Sequence, residues 1–149
     1  MLRQALLFLH LGGVIVWVGG MLFAYFCLRP AAAKVLAPPQ RLPLWVATFG
    51  AFFRLVAIAI AFIFVSGLAI LWQTGFAVAP LGWHVMLVLG VAMAGVFVRI
   101  DRGLYPRLRR HCEASDWPAA AAALNSIRQW VAVNLVLAAC TIAAAISAR

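Results

Sequence analysis

A chain of 149 residues that is 67% hydrophobic and only 10% charged lies far from the roughly half apolar, quarter charged make-up of a soluble domain. It has room for about four membrane spans of roughly 20 residues with short connections, and none for a separate soluble domain of ordinary size. The net charge of +9 comes from basic residues scattered between apolar runs, with no basic stripe or aromatic ladder, which argues against a nucleic-acid partner and for the lipid bilayer.

The first apolar run covers about residues 3–28. Arg3 and the "AAA" of Ala31–Ala33 mimic a signal peptide and its cleavage site, but the run far exceeds the usual apolar core of about 7–15 residues, so a retained span is expected. "RPAAAKVLAPPQRLP" then breaks the chain with prolines and cations before a second run at about 44–72. "QTGFAVAP" is an uncharged turn leading to a third run at about 81–100. The long stretch from Asp101 to Arg128 is expected to be partly helical and interfacial, and a fourth run follows at about 127–147. Each run suffices to cross about 30 Å of hydrocarbon as a helix. The expected fold is all-α: an integral membrane four-helix bundle forming one transmembrane domain over residues 1–149.

Charge sets the expected orientation. Arg29, Lys34 and Arg41 lie in the first connection, and Arg102, Arg107, Arg109 and Arg110 in the third, with Arg99 and Arg128 at its edges. The second connection has no charge, and each terminus has a single nearby arginine, Arg3 or Arg149. Positive charge marks the cytoplasmic side, so both termini and the second connection are expected in the periplasm of a bacterium.

"HLGGVIVWVGG", residues 10–20, carries a histidine and two glycine pairs within a span. His10 lies roughly 10 Å in from the outer side, and His84 lies about four residues into the third span from the same side. Facing side chains of this kind build cofactor and metal sites in helical bundles. Gly13, Trp17 and Gly20 share a helical face with His10, offering two gaps and a ring where a flat group could lie. The same small residues also make a helix-packing seam. Arg54 places a permanent cation about 15 Å inside the second span, to be met by a propionate, a lipid phosphate or snorkelling. Arg128 is a candidate interfacial cation and Asn134 an interhelical hydrogen-bonding residue.

Two ligand chemistries suit these residues. Haem b would take His10 and His84 as axial ligands, with Trp17 and Trp83 packed nearby and Arg54 compensating a propionate; two axial histidines favour electron transfer. Copper would take His10, His84 and Cys140, the last near the same level on the fourth span. Cys27, Cys112 and Cys140 form no CxxC pair, so neither a disulfide framework nor a zinc site is indicated. Met86 and Met21 are placed too far around or along their helices to share a metal with the neighbouring histidine. "HCE" at His111–Glu113 reads as a solvated loop rather than a metal site. No catalytic triad, phosphate-cradling loop or paired carboxylate is present.

The pattern "HLGGVIVWVGGMLFAYFCLRPAA", then "FFRLVAIAIAFIFVSGLAI", "GWHVMLVLGVAMAGVFV" and "DWPAAAAALNSIRQWVAVNLVLA" resembles the CopD-like group of small bacterial inner-membrane proteins over nearly the whole chain. That resemblance implies copper resistance or uptake and a multi-pass inner-membrane location. A more distant architectural similarity is to the HemJ-type protoporphyrinogen oxidases, which use haem, although the third span here lacks a lysine. Three functions are expected to compete. The first is a b-type-haem protein passing electrons near the periplasmic face, to or from quinone or a redox partner protein. The second is a copper-binding or copper-transport protein. The third is a cofactor-free membrane subunit. A homodimer supplying ligands across its interface is compatible with each.

Overall fold

The computed structural model describes residues 1–147. Arg149, one of the two terminal arginines used to orient the chain, lies outside the described residues.

Four long helices account for almost all of that length: α1 (Leu2–Val35), α2 (Pro38–Thr74), α3 (Leu81–Glu113) and α4 (Trp117–Ser147). All four are long and apolar enough to cross a membrane. The connections are short and run up-down-up-down. Leu36 and Ala37 join α1 to α2; Gly75, whose φ of 90° only glycine adopts readily, ends α2. Ser115, with φ 55°, turns the chain between α3 and α4, and the Asp116 carboxylate accepts from the Ala119 N–H at 3.2 Å to cap α4.

The stretch from Asp101 to Arg128, expected to be a partly helical, interfacial connection, is helical over nearly its whole length: it continues α3 to Glu113 and begins α4 at Trp117, with a tight turn between them. At 31 to 37 residues the helices measure about 45–55 Å, well beyond the roughly 30 Å hydrocarbon core. The surplus of α3 and α4 forms a hairpin that, with the start of α2, encloses its own core of Leu42, Trp45, Leu108, Ala120, Leu124 and Ile127. The Tyr105 hydroxyl ties this hairpin to α2 by donating to the Val46 carbonyl at 3.1 Å.

Widened, π-helical turns occur at Phe23–Leu28 and Ile100–Leu104. Each precedes a proline, Pro30 and Pro106 respectively. Proline supplies no N–H and its ring collides with the carbonyl four residues back, so a wider turn relieves both problems. A third such turn, Ile15–Gly19, carries Trp17 and is flanked by Gly20.

The bundle is apolar on its outside. Phe8, Leu11, Ile15, Phe23, Val65, Val88, Val91 and Val136 all face outward, the arrangement expected where lipid is the solvent. The outer surface therefore meets the bilayer. Among the described residues, every lysine and arginine apart from Arg3 and Arg54 lies toward the end bearing the α1–α2 and α3–α4 turns; the opposite end is poor in charge.

Candidate functional site

His10 is docked on α2, the principal neighbour of the charge-poor half of α1. Its Nδ1 lies 3.1 Å from the Ile63 carbonyl and 3.2 Å from the Ser66 hydroxyl oxygen. A carbonyl only accepts, and the Ser66 hydroxyl already donates to the carbonyls of its own helix. The proton is therefore on Nδ1, and Nε2 makes no hydrogen bond among the described residues. Metal-ligating histidines are held in this tautomer by the same kind of partner. Gly67 makes the seat: a Cβ there would stand 3.1 Å from the His10 Cε1, so a larger residue would push the ring outward.

His84 sits in the first turn of α3, where its Nδ1 makes a long 3.4 Å contact to the Pro80 carbonyl and its ring lies 6.4 Å from that of Phe76. Trp83 beside it is half-buried. The extensive packing of α3 in this half is on α4, whereas that of α1 is on α2. Cys140 is exposed on α4. Among the described residues no three His, Cys, Asp or Glu side chains come together as a metal-holding group, so His10, His84 and Cys140 do not assemble into one ligand set.

The glycine gaps are filled. A Cβ on Gly13 would lie 2.8 Å from the Ile63 Cγ1 and 2.9 Å from the Ala59 carbonyl oxygen, and one on Gly20 would run into the Phe52 ring. Both glycines thus admit α2 and its side chains. Trp17 is only 3% exposed within a core that also contains Val56, Ala59 and Ala138, edge-on to Phe97 at 6.4 Å between ring centroids. Arg54 is exposed and donates from Nε to the Gly50 carbonyl of its own helix at 3.1 Å. A haem between His10 and His84 needs open space beside the glycines and two imidazoles turned to a common centre. With Ile63 and Phe52 in that space and His10 turned to α2, the residues present do not fit it.

The bundle interior brings together a second set of donors. Asn134 on α4, 1% exposed, donates from Nδ2 to the Met21 sulfur at 3.6 Å, while its Oδ1 is buried without a hydrogen-bond partner among the described residues. Thr141, on the same face of α4, has its hydroxyl 3.8 Å from the Met93 sulfur. Met21 and Met93 are both 4% exposed and belong to the same core. Seven residues of α4 separate the two polar contacts, so the thioethers lie at levels about 10 Å apart. His10 stands about 16 Å from the Met21 level, beyond Met93 toward the charge-poor end. Sequence spacing placed Met21 too far from His10 to share one metal; its position beside Asn134, in one core with Met93, emerges only when α1, α3 and α4 are assembled. The available signal is that Trp17 and Met21, four residues apart, occupy one helical face.

These features define a small helical integral membrane protein with imidazole and thioether donors at successive depths. Residues 46–148 match the family described as copper resistance protein D, and the chain belongs to that family, as a multi-pass protein of the inner membrane. Comparison with curated proteins gives no match, and neither does comparison with solved structures.

Proposed function

We propose that this protein handles copper inside the membrane, holding Cu(I) on interior donors and passing it across the bilayer by way of the bundle interior. Family membership carries the reading. The column of donors supports it: thioethers are soft ligands that favour Cu(I) over harder cations, and imidazole is a good copper ligand once its other nitrogen is fixed. His10 offers Nε2 near the charge-poor face; Met93 and then Met21 offer sulfur further in. The orphaned Asn134 Oδ1 adds an oxygen beside Met21. His84 and Cys140 are candidate entry residues at the charge-poor end. The clustering of cations at the other end supports a cytoplasmic location for the α1–α2 and α3–α4 turns, with the termini in the periplasm.

Proteoliposomes enclosing a fluorescent Cu(I) chelator test the proposal. Vesicles with the protein should fill faster than empty vesicles, and Met21→Leu, which keeps the volume and removes the sulfur, should slow filling. Filling no faster than in empty vesicles would remove transport; an unchanged rate in Met21→Leu would remove the thioether route.

A further inference from the structure

At the cation-rich end, a cleft of about 30 Å³ opens between α1, α2 and α4. Two guanidinium groups line it, Arg29 from α1 and Arg128 from α4. Arg29 lies over the Tyr25 ring, 5.3 Å from its centroid. The Nε of Arg128 is buried and has no hydrogen-bond partner among the described residues. The rest of the wall is apolar, with Trp45, Phe49 and Val131.

Among the described residues no carboxylate side chain lines this cleft, and the chain has only three to offer. Asp101 pairs with Arg102 at 3.3 Å and Glu113 with Arg109 at 2.8 Å. Asp116 caps α4 and faces His111 at 3.7 Å. Two cations thus share a partly desolvated cleft with no internal anion, an unfavourable arrangement unless an external anion completes it. Guanidinium groups match phosphate oxygens in geometry as well as charge.

We propose that Arg29 and Arg128 hold the phosphate of an anionic phospholipid, whose acyl chain lies over the partly exposed Ala24, Tyr25 and Val131 at the mouth of the cleft. A lipid satisfies both halves of the cleft, since it brings an anionic head and an apolar tail to a site at the edge of a membrane span. A free phosphate would satisfy only the cations. The bound lipid would tie α1 to α4 at the end where both helices emerge from the bilayer, independently of any copper chemistry.

Native mass spectrometry of the detergent-purified protein tests this, with phosphatidylglycerol and phosphatidylcholine of identical chains as probes and inorganic phosphate as a third arm. At roughly five-fold per arginine, phosphatidylglycerol should be retained on the order of twenty-five-fold better than phosphatidylcholine. Arg29→Gln and Arg128→Gln should each reduce that preference about five-fold, while Arg54→Gln, outside the cleft, should leave it intact. Arg128→Lys keeps the charge and should retain part of the preference if the glutamine variant fails to fold. Equal retention of the two lipids, an undiminished preference in both glutamine variants, or displacement of phosphatidylglycerol by inorganic phosphate would overturn the proposal.

Discussion

At the scale of single residues, the glycines of the first span show how the same sequence feature serves different neighbours. A methyl group placed on Gly12 or Gly19 would have no neighbour within 4 Å, whereas one on Gly13 would meet a backbone carbonyl at 2.9 Å. Backbone cannot swing aside, so Gly13→Ala must move α1 off α2 and should cost about 1–3 kcal/mol. Gly12→Ala should be close to neutral. Thermal unfolding of the two variants in detergent checks this, and equal midpoints would mean that α1 does not pack on α2 through Gly13. Gly20 faces the far end of the Phe52 side chain, which can turn aside where backbone cannot, so its alanine variant should fall between the two. His10 belongs to the same seam: its ring rests against Gly67 and bonds α2, so the histidine both joins two helices and presents a nitrogen. The sequence reveals the expensive residue and the small residues around it; it does not reveal which helix fills the gaps, because that depends on the order of helices around the bundle.

At the scale of elements, the four runs of apolar residues were readable because hydrocarbon demands continuous apolar length. Their true ends were not. The charged segment of α3 has a periodic face that buries Leu108 completely while Arg107, Arg109 and Arg110 point elsewhere, and a search for apolar length stops at the first arginines. The Asp-Trp-Pro of residues 116–118 is a helix start, with the capping carboxylate immediately before an N-terminal Trp-Pro. The hairpin's stability should hang on its apolar seam. Leu108→Ala should cost about 2–5 kcal/mol and open the hairpin to limited proteolysis at Arg109 and Arg110. Unchanged protease resistance would show that the extension is held by something other than this core.

At the scale of the whole molecule, the chain combines an apolar exterior, one heavily cationic end and a column of soft donors through the interior. Class and family were legible from composition and motif. The glycine face, read both as room for a flat cofactor and as a helix-packing seam, is filled by α2, and the two thioethers of Met21 and Met93 line a common interior that spacing along single helices does not show. Both outcomes have one cause: a helical wheel gives the direction of a side chain but not its partner. The charge distribution predicts that a cysteine at Val78, in a variant without the three native cysteines, reacts with an impermeant reagent added outside the inner membrane. Labelling only after the membrane is opened would reverse the proposed orientation, and with it the direction of the copper path.

The most direct test of the copper reading is an anaerobic Cu(I) competition titration of the purified protein against a coloured chelator, repeated for the Met21→Leu, Met93→Leu double variant and for His10→Ala. The wild-type protein should withdraw Cu(I) from the chelator, the double variant should do so at least about ten-fold less tightly, the loss of about 1.4 kcal/mol, and His10→Ala should weaken it too. No withdrawal by the wild-type protein, or identical curves for all three, would contradict copper binding on this column of donors.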